Sequence, residues 1–508
     1  LDAVTKSPAQ PESFAKSMFA LPVSPWNLAT ALLAGLALRL FFVIHFPFSA
    51  GDTKFYGELA RNWLDHGVYG LFVKGQLVPT DMRAPGYPAF LAAIYAIFGR
   101  SGRAVLVVQA IVDLMTCVAT ALIAARLPPA AKRATVATAA LWIAALCPFT
   151  ANYAAVFLTE SLAIFSTTFA LLIFVSLLDH PFMLSDDDPA SRGIFSFVGW
   201  IIFAGFLVGL GTLVRPETPL VLAAAGLVFC ARLRRSANWR KLILTVSWMA
   251  VGLLLPLMPW AVRNARTMGR IEFLAPRYAE VEGDFIPRGV YAWTRTWMVR
   301  FDDAYLVPWK LGKAPITAES LPPSAFDSPA ERAKVNALLN TYDSDLKMTP
   351  LLDRQFAVLA SERTARHPLR TYLFVPAARA WAMWFTPPVA FLRYSGQVWP
   401  LSERWRDNRP DLVTTLGFTL LSFIYAGLAL VGAWTCRARS GFTLLAAFII
   451  IRTVVLTQMQ TIEPRYIIVC LPALLAICAQ AWALSRQSHA ASVVEPRWTP
   501  NPAAADSK

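Results

Sequence analysis

The chain has 508 residues, of which 56% are hydrophobic and 16% charged, with a mean hydropathy of +0.48 and a formal net charge of +15. A soluble chain carries about a quarter charged residues. Several apolar runs here extend for roughly 18 to 24 residues without a solvated face, the length that crosses a bilayer. A soluble globular enzyme, a fibre and a disordered chain are excluded, and the expected class is an all-α polytopic membrane protein.

In chain order, residues 1–25 form a polar, Pro-rich tail that leads straight into an apolar run. That run reads as a signal anchor rather than a cleavable leader. About ten spans are expected, near 26–48, 104–126, 134–151, 160–178, 194–213, 217–231, 242–261, 412–435, 441–459 and 467–485, the sixth being short. With a cytoplasmic N-terminus, three basic clusters fall on one side, as the positive-inside rule requires. They are Arg126, Lys132 and Arg133; Arg232, Arg234, Arg235, Arg240 and Lys241; and Arg437 with Arg439. The acidic run Asp186-Asp187-Asp188 falls on that side too and reads as a solvated loop, and the tail 487–508 is cytoplasmic. The outer side then receives 49–103 and 263–410. Gly86 to Gly99 is apolar but too short to span and is placed at the outer surface. Tyr372 to Leu392 carries Arg379 and three prolines and reads as interfacial.

The remaining composition fits this class. Aromatics make up 12%, with 17 Trp, which suits membrane interfaces. The positive charge belongs to loops, so nucleic acid is not an expected partner. Cys117, Cys147, Cys230, Cys436, Cys470 and Cys478 lie in or beside apolar runs without metal-ligand spacing, and read as small core residues. No fixed-period repeat and no pair of inverted halves is evident.

Charged residues collect at the outer ends of the spans. The first outer loop opens Gly51-Asp52-Thr53-Lys54-Phe55-Tyr56. Phe55, Leu59 and Trp63 recur every four residues, joined by Tyr56, with Lys54, Glu58, Arg61, Asn62 and Asp65 on other faces. This pattern predicts an amphipathic helix along the membrane surface, stopped near Gly67. Asp52 at its start is suited to capping and equally to chemistry. Two prolines and a glycine predict a tight turn in Arg83-Ala84-Pro85-Gly86-Tyr87-Pro88. Arg83 is then a snorkelling interfacial charge or a phosphate ligand. Asn152-Tyr153 and Thr159-Glu160-Ser161-Leu162 follow span three, with Glu160 in a helical first turn where the dipole favours an acid. Leu213-Val214-Arg215-Pro216-Glu217, Arg263-Asn264 and Glu463-Pro464-Arg465-Tyr466 complete the set. Inside the spans lie Arg39, Asp113 and Arg452, of which Arg39 and Asp113 are expected to form a structural pair. The loop 263–410 holds 21 Lys+Arg against 15 Asp+Glu. That basic surface suits an anionic ligand such as a lipid phosphate, or docking on anionic headgroups.

The order is an acid after the first span, an amphipathic helix, Arg83-Ala84-Pro85-Gly86-Tyr87-Pro88, Thr159-Glu160-Ser161, Leu213-Val214-Arg215-Pro216 and Pro464-Arg465-Tyr466. In this it resembles the polyprenyl-phosphate-dependent GT-C glycosyltransferases, a superfamily that includes protein O-mannosyltransferases, the lipid A aminoarabinose transferase and the galacturonic acid transferases of lipopolysaccharide. The resemblance covers residues 26 to 300 well and the tail more loosely. It implies a GT-C-type fold with a transmembrane catalytic module at 26–262, a large periplasmic loop at 263–410 and C-terminal helices at 411–486. Asp52 would be the catalytic carboxylate, with Glu160 the second acid, near the acceptor. Arg83 and Arg215, joined by Arg263 and Arg465, would hold the donor phosphate. Tyr56, Tyr87, Asn152 and Tyr466 would contact acceptor or sugar.

Two departures stand out. Asp52-Thr53 replaces the acidic pair of many relatives, and Arg83-Ala84-Pro85 replaces a base followed by two prolines. One carboxylate is a poor divalent-ion site, so no metal ligand is assigned and a divalent cation is left open. The implied function is inverting transfer of a sugar from a polyprenyl phosphate to a hydroxyl of a lipid, glycan or protein, at the outer face of a bacterial inner membrane. The alternatives are a transporter or flippase of lipid-linked sugars, and a glycan ligase using a polyprenyl diphosphate.

Overall fold

The computed structural model describes residues 11–484 except 50, 185–192, 236–237, 275–282, 388–389, 393, 395, 397 and 399. The Asp186-Asp187-Asp188 run, the tail 487–508 and part of the 372–392 segment lie outside the described residues. Seven helices are long and apolar enough to cross a membrane: Pro25–His45, Gly102–Ala124, Glu160–Leu177, Ile194–Val214, Trp239–Met268, Arg409–Cys436 and Pro464–Leu484. An eighth candidate is a pair bent by 43°, Ala130–Ala145 with Pro148–Ala155. The expected spans at 217–231 and 441–459 fall on shorter apolar helices, Leu220–Leu233 and Ser440–Leu456. Among the described residues, then, seven helices, or eight with the bent pair counted as one, have the length and composition of a span, against about ten expected.

The first span shows why these runs form helices and how they pack. Ser24 caps it, its hydroxyl accepting from the Asn27 backbone N–H, and Pro25 supplies a fixed φ at the first turn. Ala31, Gly35, Arg39 and Phe42 form its buried stripe, while Trp26, Leu33, Phe41 and Ile44 face outward. Arg39 lies in that stripe and meets Asp113, with Nε 2.8 Å from Oδ2. Its Nη1 also donates to the Gly35 and Ala145 carbonyls at 2.8 Å each. The expected structural pair is present and fully buried. Elsewhere small residues let backbones touch: a Cβ on Gly252 would stand 2.3 Å from the Ile202 carbonyl oxygen, so Trp239–Met268 lies directly against Ile194–Val214.

Long-range contacts define two ends of the bundle. At one end Arg126 donates to the Ser17 and Met18 carbonyls, Gln480 to Ala124, Lys241 to Phe182 and Arg232 to Ser440. These positions all adjoin the basic clusters read as cytoplasmic. At the other end the loops carrying the candidate residues are stitched together. The Phe48 N–H donates to the Ala155 carbonyl at 3.0 Å, and the Phe157 N–H to Phe48 at 3.1 Å. Thr53 adds a hydroxyl bond to the Phe157 carbonyl.

The first outer loop forms the expected helix, Gly51–His66, closed by Gly67 at φ 67°. A hairpin follows that the sequence reading did not contain, Gly70–Val73 paired with Gln76–Pro79. Its turn residues Lys74 and Gly75 both have positive φ, the geometry two-residue hairpins favour. The helix Gly86–Phe98 packs back on Gly51–His66. Between residues 290 and 360 a separate apolar core gathers Trp293, Met298, Val307, Tyr342, Phe356 and Leu359. This outer domain joins the membrane bundle through Arg379, which is buried. Its Nε donates to Met298 and its Nη1 to Thr457, both carbonyls at 2.8 Å. Arg379 was expected at an interface; it sits inside.

Candidate active site

The outer end of the bundle and the outer domain enclose a cavity of about 2240 Å³. Asp52 lines it from the first turn of Gly51–His66, and Arg83 from the turn before Gly86–Phe98. They pair on its wall, Arg83 Nη2 to Asp52 Oδ1 at 2.9 Å. The Asp52 carboxylate is 39% exposed and the Arg83 side chain 27%, so the pair is open to a ligand. Arg83 also lies over the Phe55 ring at 5.8 Å. Phe55, read as a membrane-facing anchor, therefore lines the cavity instead.

A second, denser cluster lies behind the first. Glu160 starts its helix and is 1% exposed. Its Oε1 lies 3.0 Å from Arg215 Nη1 and 3.6 Å from Arg465 Nη1, and its Oε2 has no hydrogen-bond partner. Arg215 Nε is 2.8 Å from Glu217 Oε1, and the same oxygen receives Arg452 Nη2 at 3.2 Å. Arg452 thus gains the partner that its place inside a span left unassigned. Tyr466 is flanked by two guanidinium groups, Arg215 at 5.1 Å and Arg465 at 5.6 Å from the ring centre, and its hydroxyl donates to Glu463 at 2.6 Å. Burial works against the Arg215 charge, but Glu217 and Glu160 outweigh it and hold the guanidinium above its ordinary pKa. Burial likewise pushes Glu217 up, and Arg215 with Arg452 overcome it to bring the carboxyl down to about 2.

Gly86 brings the two clusters together. A Cβ there would stand 2.6 Å from the Leu213 carbonyl carbon and oxygen, so the Arg83 turn rests on backbone two residues before Arg215. Tyr56 lies between the clusters. Burial, then the Asp52 charge, push its hydroxyl up to about 12, with Arg83, Glu160 and Arg215 also within electrostatic reach.

The structure therefore brings Asp52, Arg83, Glu160, Arg215, Arg465, Tyr56 and Tyr466 to one end. Of these, Asp52, Arg83, Arg465 and Tyr466 line the cavity, joined by Glu463 and Tyr153. Arg263 does not join them. It braces the hairpin, donating to the Thr80 and Tyr69 carbonyls at 2.8 and 2.7 Å and lying over Tyr69 and Trp260. Tyr87 is buried, its hydroxyl donating to Gln109 at 2.8 Å. Asn152 is buried with neither amide atom hydrogen-bonded. Among the described residues no group of three His, Cys, Asp or Glu could hold a metal ion. What the sequence reading missed is the wall contributed by the outer domain, including Tyr305 and Trp309.

No family model matches the chain, and no curated protein matches its sequence. Three solved structures are similar. The archaeal oligosaccharyltransferase AglB from Archaeoglobus fulgidus, solved with an inhibitory peptide and a dolichol-phosphate, is 13% identical with a TM-score of 0.42, over 90% of this chain and 50% of that one. ArnT from Cupriavidus metallidurans bound to undecaprenyl phosphate is 14% identical with a TM-score of 0.36, over 90% of this chain and 77% of that one. Its apo state is 15% identical with a TM-score of 0.35, over 89% and 76%. The chain spans about half the length of the archaeal protein.

Proposed function

We propose that the chain is an inverting membrane glycosyltransferase of the GT-C type, moving a sugar from a polyprenyl phosphate to an acceptor hydroxyl at the outer, periplasmic face of a bacterial inner membrane. The observation that carries this is the half-exposed Asp52–Arg83 pair on the wall of a cavity that also receives Arg465. A carboxylate beside convergent arginines fits a reaction whose leaving group is already an anion.

Asp52 takes the proton of the acceptor hydroxyl as its oxygen attacks the anomeric carbon. The bond from that carbon to the phosphate oxygen breaks, and the electron pair leaves with the phosphate. Arg83 and Arg465, backed by Arg215, stabilise the growing negative charge from fixed positions in a partly dry site. The products are the inverted glycoside, the lipid phosphate and a protonated Asp52 carboxyl. Glu160 lacks access to the cavity, so its part is to position Arg215 and Arg465.

Asp52→Asn keeps size and capping ability and removes the base. Purified Asp52→Asn protein should bind undecaprenyl phosphate normally and transfer sugar slower by about 10²–10⁴. Glu160→Gln should weaken donor binding instead. Near-normal turnover in folded Asp52→Asn protein, with Glu160→Gln inactive, would make Glu160 the base.

A further inference from the structure

The large loop holds a surface that the transfer step leaves unused. Phe301, Tyr305 and Trp309 are spaced four residues apart. Their rings meet edge to face, with centroids 5.7 Å apart for Phe301–Tyr305, 5.3 Å for Phe301–Trp309 and 4.4 Å for Tyr305–Trp309. All three line the same cavity as Asp52 and Arg83. Between them Ala304 and Val307 are fully buried in the outer-domain core, so the aromatic row is the outward face of a segment packed on its other side.

That segment is held rigidly. The Asp303 carboxylate accepts from the Val299 and Arg300 backbone N–H groups at 2.8 Å each. The Trp309 N–H donates to the Ala304 carbonyl at 3.0 Å. The buried Tyr342 hydroxyl accepts from Gly312 N–H at 2.9 Å and lies 3.2 Å from the Lys310 and Ala314 carbonyls. Even so, Tyr305 remains 53% and Trp309 38% exposed. Rigid, exposed rings facing a shared cavity are prepared for a ligand, because little ordering remains to be done on binding.

The surroundings select the ligand class. A cavity of about 2240 Å³ exceeds the roughly 300–1,000 Å³ that holds one small molecule. It therefore has room for an acceptor beside a lipid-linked donor. Arg300, Asp302 and Lys313 share the wall with the aromatic row. A hydrocarbon chain laid there would take these charged groups out of water, at a cost. An anionic lipid surface suits aromatic anchors, but Asp302 and Asp303 sit within the row itself. A peptide adding to a sheet needs a strand edge, whereas this wall is built of tight helical turns. A pyranose meets both demands. Its C–H face carries partial positive charge toward the negative ring face, and its hydroxyls both donate and accept, satisfying acids and bases alike. The row also borders the arginine cluster: burial, then Asp302 and Glu463, raise the Tyr305 hydroxyl above its ordinary pKa, with Arg465 opposing.

We infer that Phe301, Tyr305 and Trp309 form a saccharide-binding shelf, and that the acceptor is a saccharide or the sugar portion of a larger molecule. The word acceptor rests on the transferase reading; saccharide binding does not.

The full-length protein in detergent is applied to three printed arrays, of oligosaccharides, hydroxyl-bearing peptides and phospholipids, and undecaprenyl phosphate binding is measured separately. Retention on oligosaccharides is expected. Trp309→Ala should reduce it by about tenfold, the scale of one aromatic contact, and Tyr305→Ala similarly. Trp309→Phe, which keeps a ring, should recover most of it, and undecaprenyl phosphate binding should not change in any variant. Retention on peptides or phospholipids instead, retention on none, or saccharide retention unchanged in both alanine variants overturns the shelf. Saccharide retention by a wild-type protein that binds no undecaprenyl phosphate keeps the shelf and overturns the transferase.

Discussion

Asp52 and Glu160 are both carboxylates in the first turn of a helix, yet their surroundings divide their work. Asp52 is partly exposed and holds one arginine; Glu160 is buried and holds two. At Arg215 the geometry is a fork, one nitrogen to Glu217 and another to Glu160. A lysine keeps the charge but loses that fork. Arg215→Lys should therefore retain part of the donor affinity, and Arg215→Ala should lose it by at least tenfold, about 1.4 kcal/mol, by titration with undecaprenyl phosphate. Glu217 adds a pH signature. Its folded pKa of about 2 lies below its ordinary 4.5, so its contribution to stability is present above pH 4.5 and is lost as pH falls through 2. Thermal unfolding should show wild type more stable than Glu217→Gln at pH 6, with the gap closing toward pH 2. Neither the fork nor the shared Glu217 oxygen is legible in the sequence, because Arg215 and Glu160 are 55 positions apart and Arg452 and Glu217 are 235.

At the scale of elements, the helix Gly51–His66 and the turn Arg83–Pro88 were legible because each is local: a four-residue apolar recurrence in one, two prolines and a glycine in the other. The intervening hairpin was not, since Lys74 takes the positive φ that usually announces itself through Asn or Asp. Arg39–Asp113 is the structural pair expected of two opposite charges inside spans, and it pins the first span to Gly102–Ala124. Removing one partner strands the other charge in the bundle. Asp113→Ala should cost roughly 3–5 kcal/mol, and Arg39→Met with Asp113→Leu should recover most of it, as read from denaturation in detergent. An additive double variant would show that the pair does not couple the helices.

At the scale of the whole molecule, two ends emerge, one gathering the basic clusters and the other the site. The proposed transfer uses that partition, because a lipid-linked donor would present its phosphate at one membrane surface. The proposed orientation puts Ser324 outside and Ala130 inside, so a membrane-impermeant thiol reagent on whole cells should label Ser324→Cys and reach Ala130→Cys only after permeabilisation. Equal labelling of both would overturn the assignment of sides. Arg379 ties the outer domain to the loop that leads to Glu463 and Arg465. The saccharide shelf and the arginine cluster are thereby parts of one frame.

A helical membrane protein, the course of its apolar helices and the charged residues gathered at their ends were all legible in the primary sequence. Those properties depend on hydrophobic period, on length against bilayer thickness and on prolines and glycines acting within a few residues. Only the tertiary structure decided which of those charges meet. It separated Arg263, which braces a hairpin, from Arg465, which faces the cavity, although each is an arginine at the outer end of a span. It also turned an aromatic row of the large loop toward Asp52. Such choices are made by contacts between residues far apart in the chain. In a bundle whose helices satisfy most backbone bonds internally, it is the packing of whole helices that selects them.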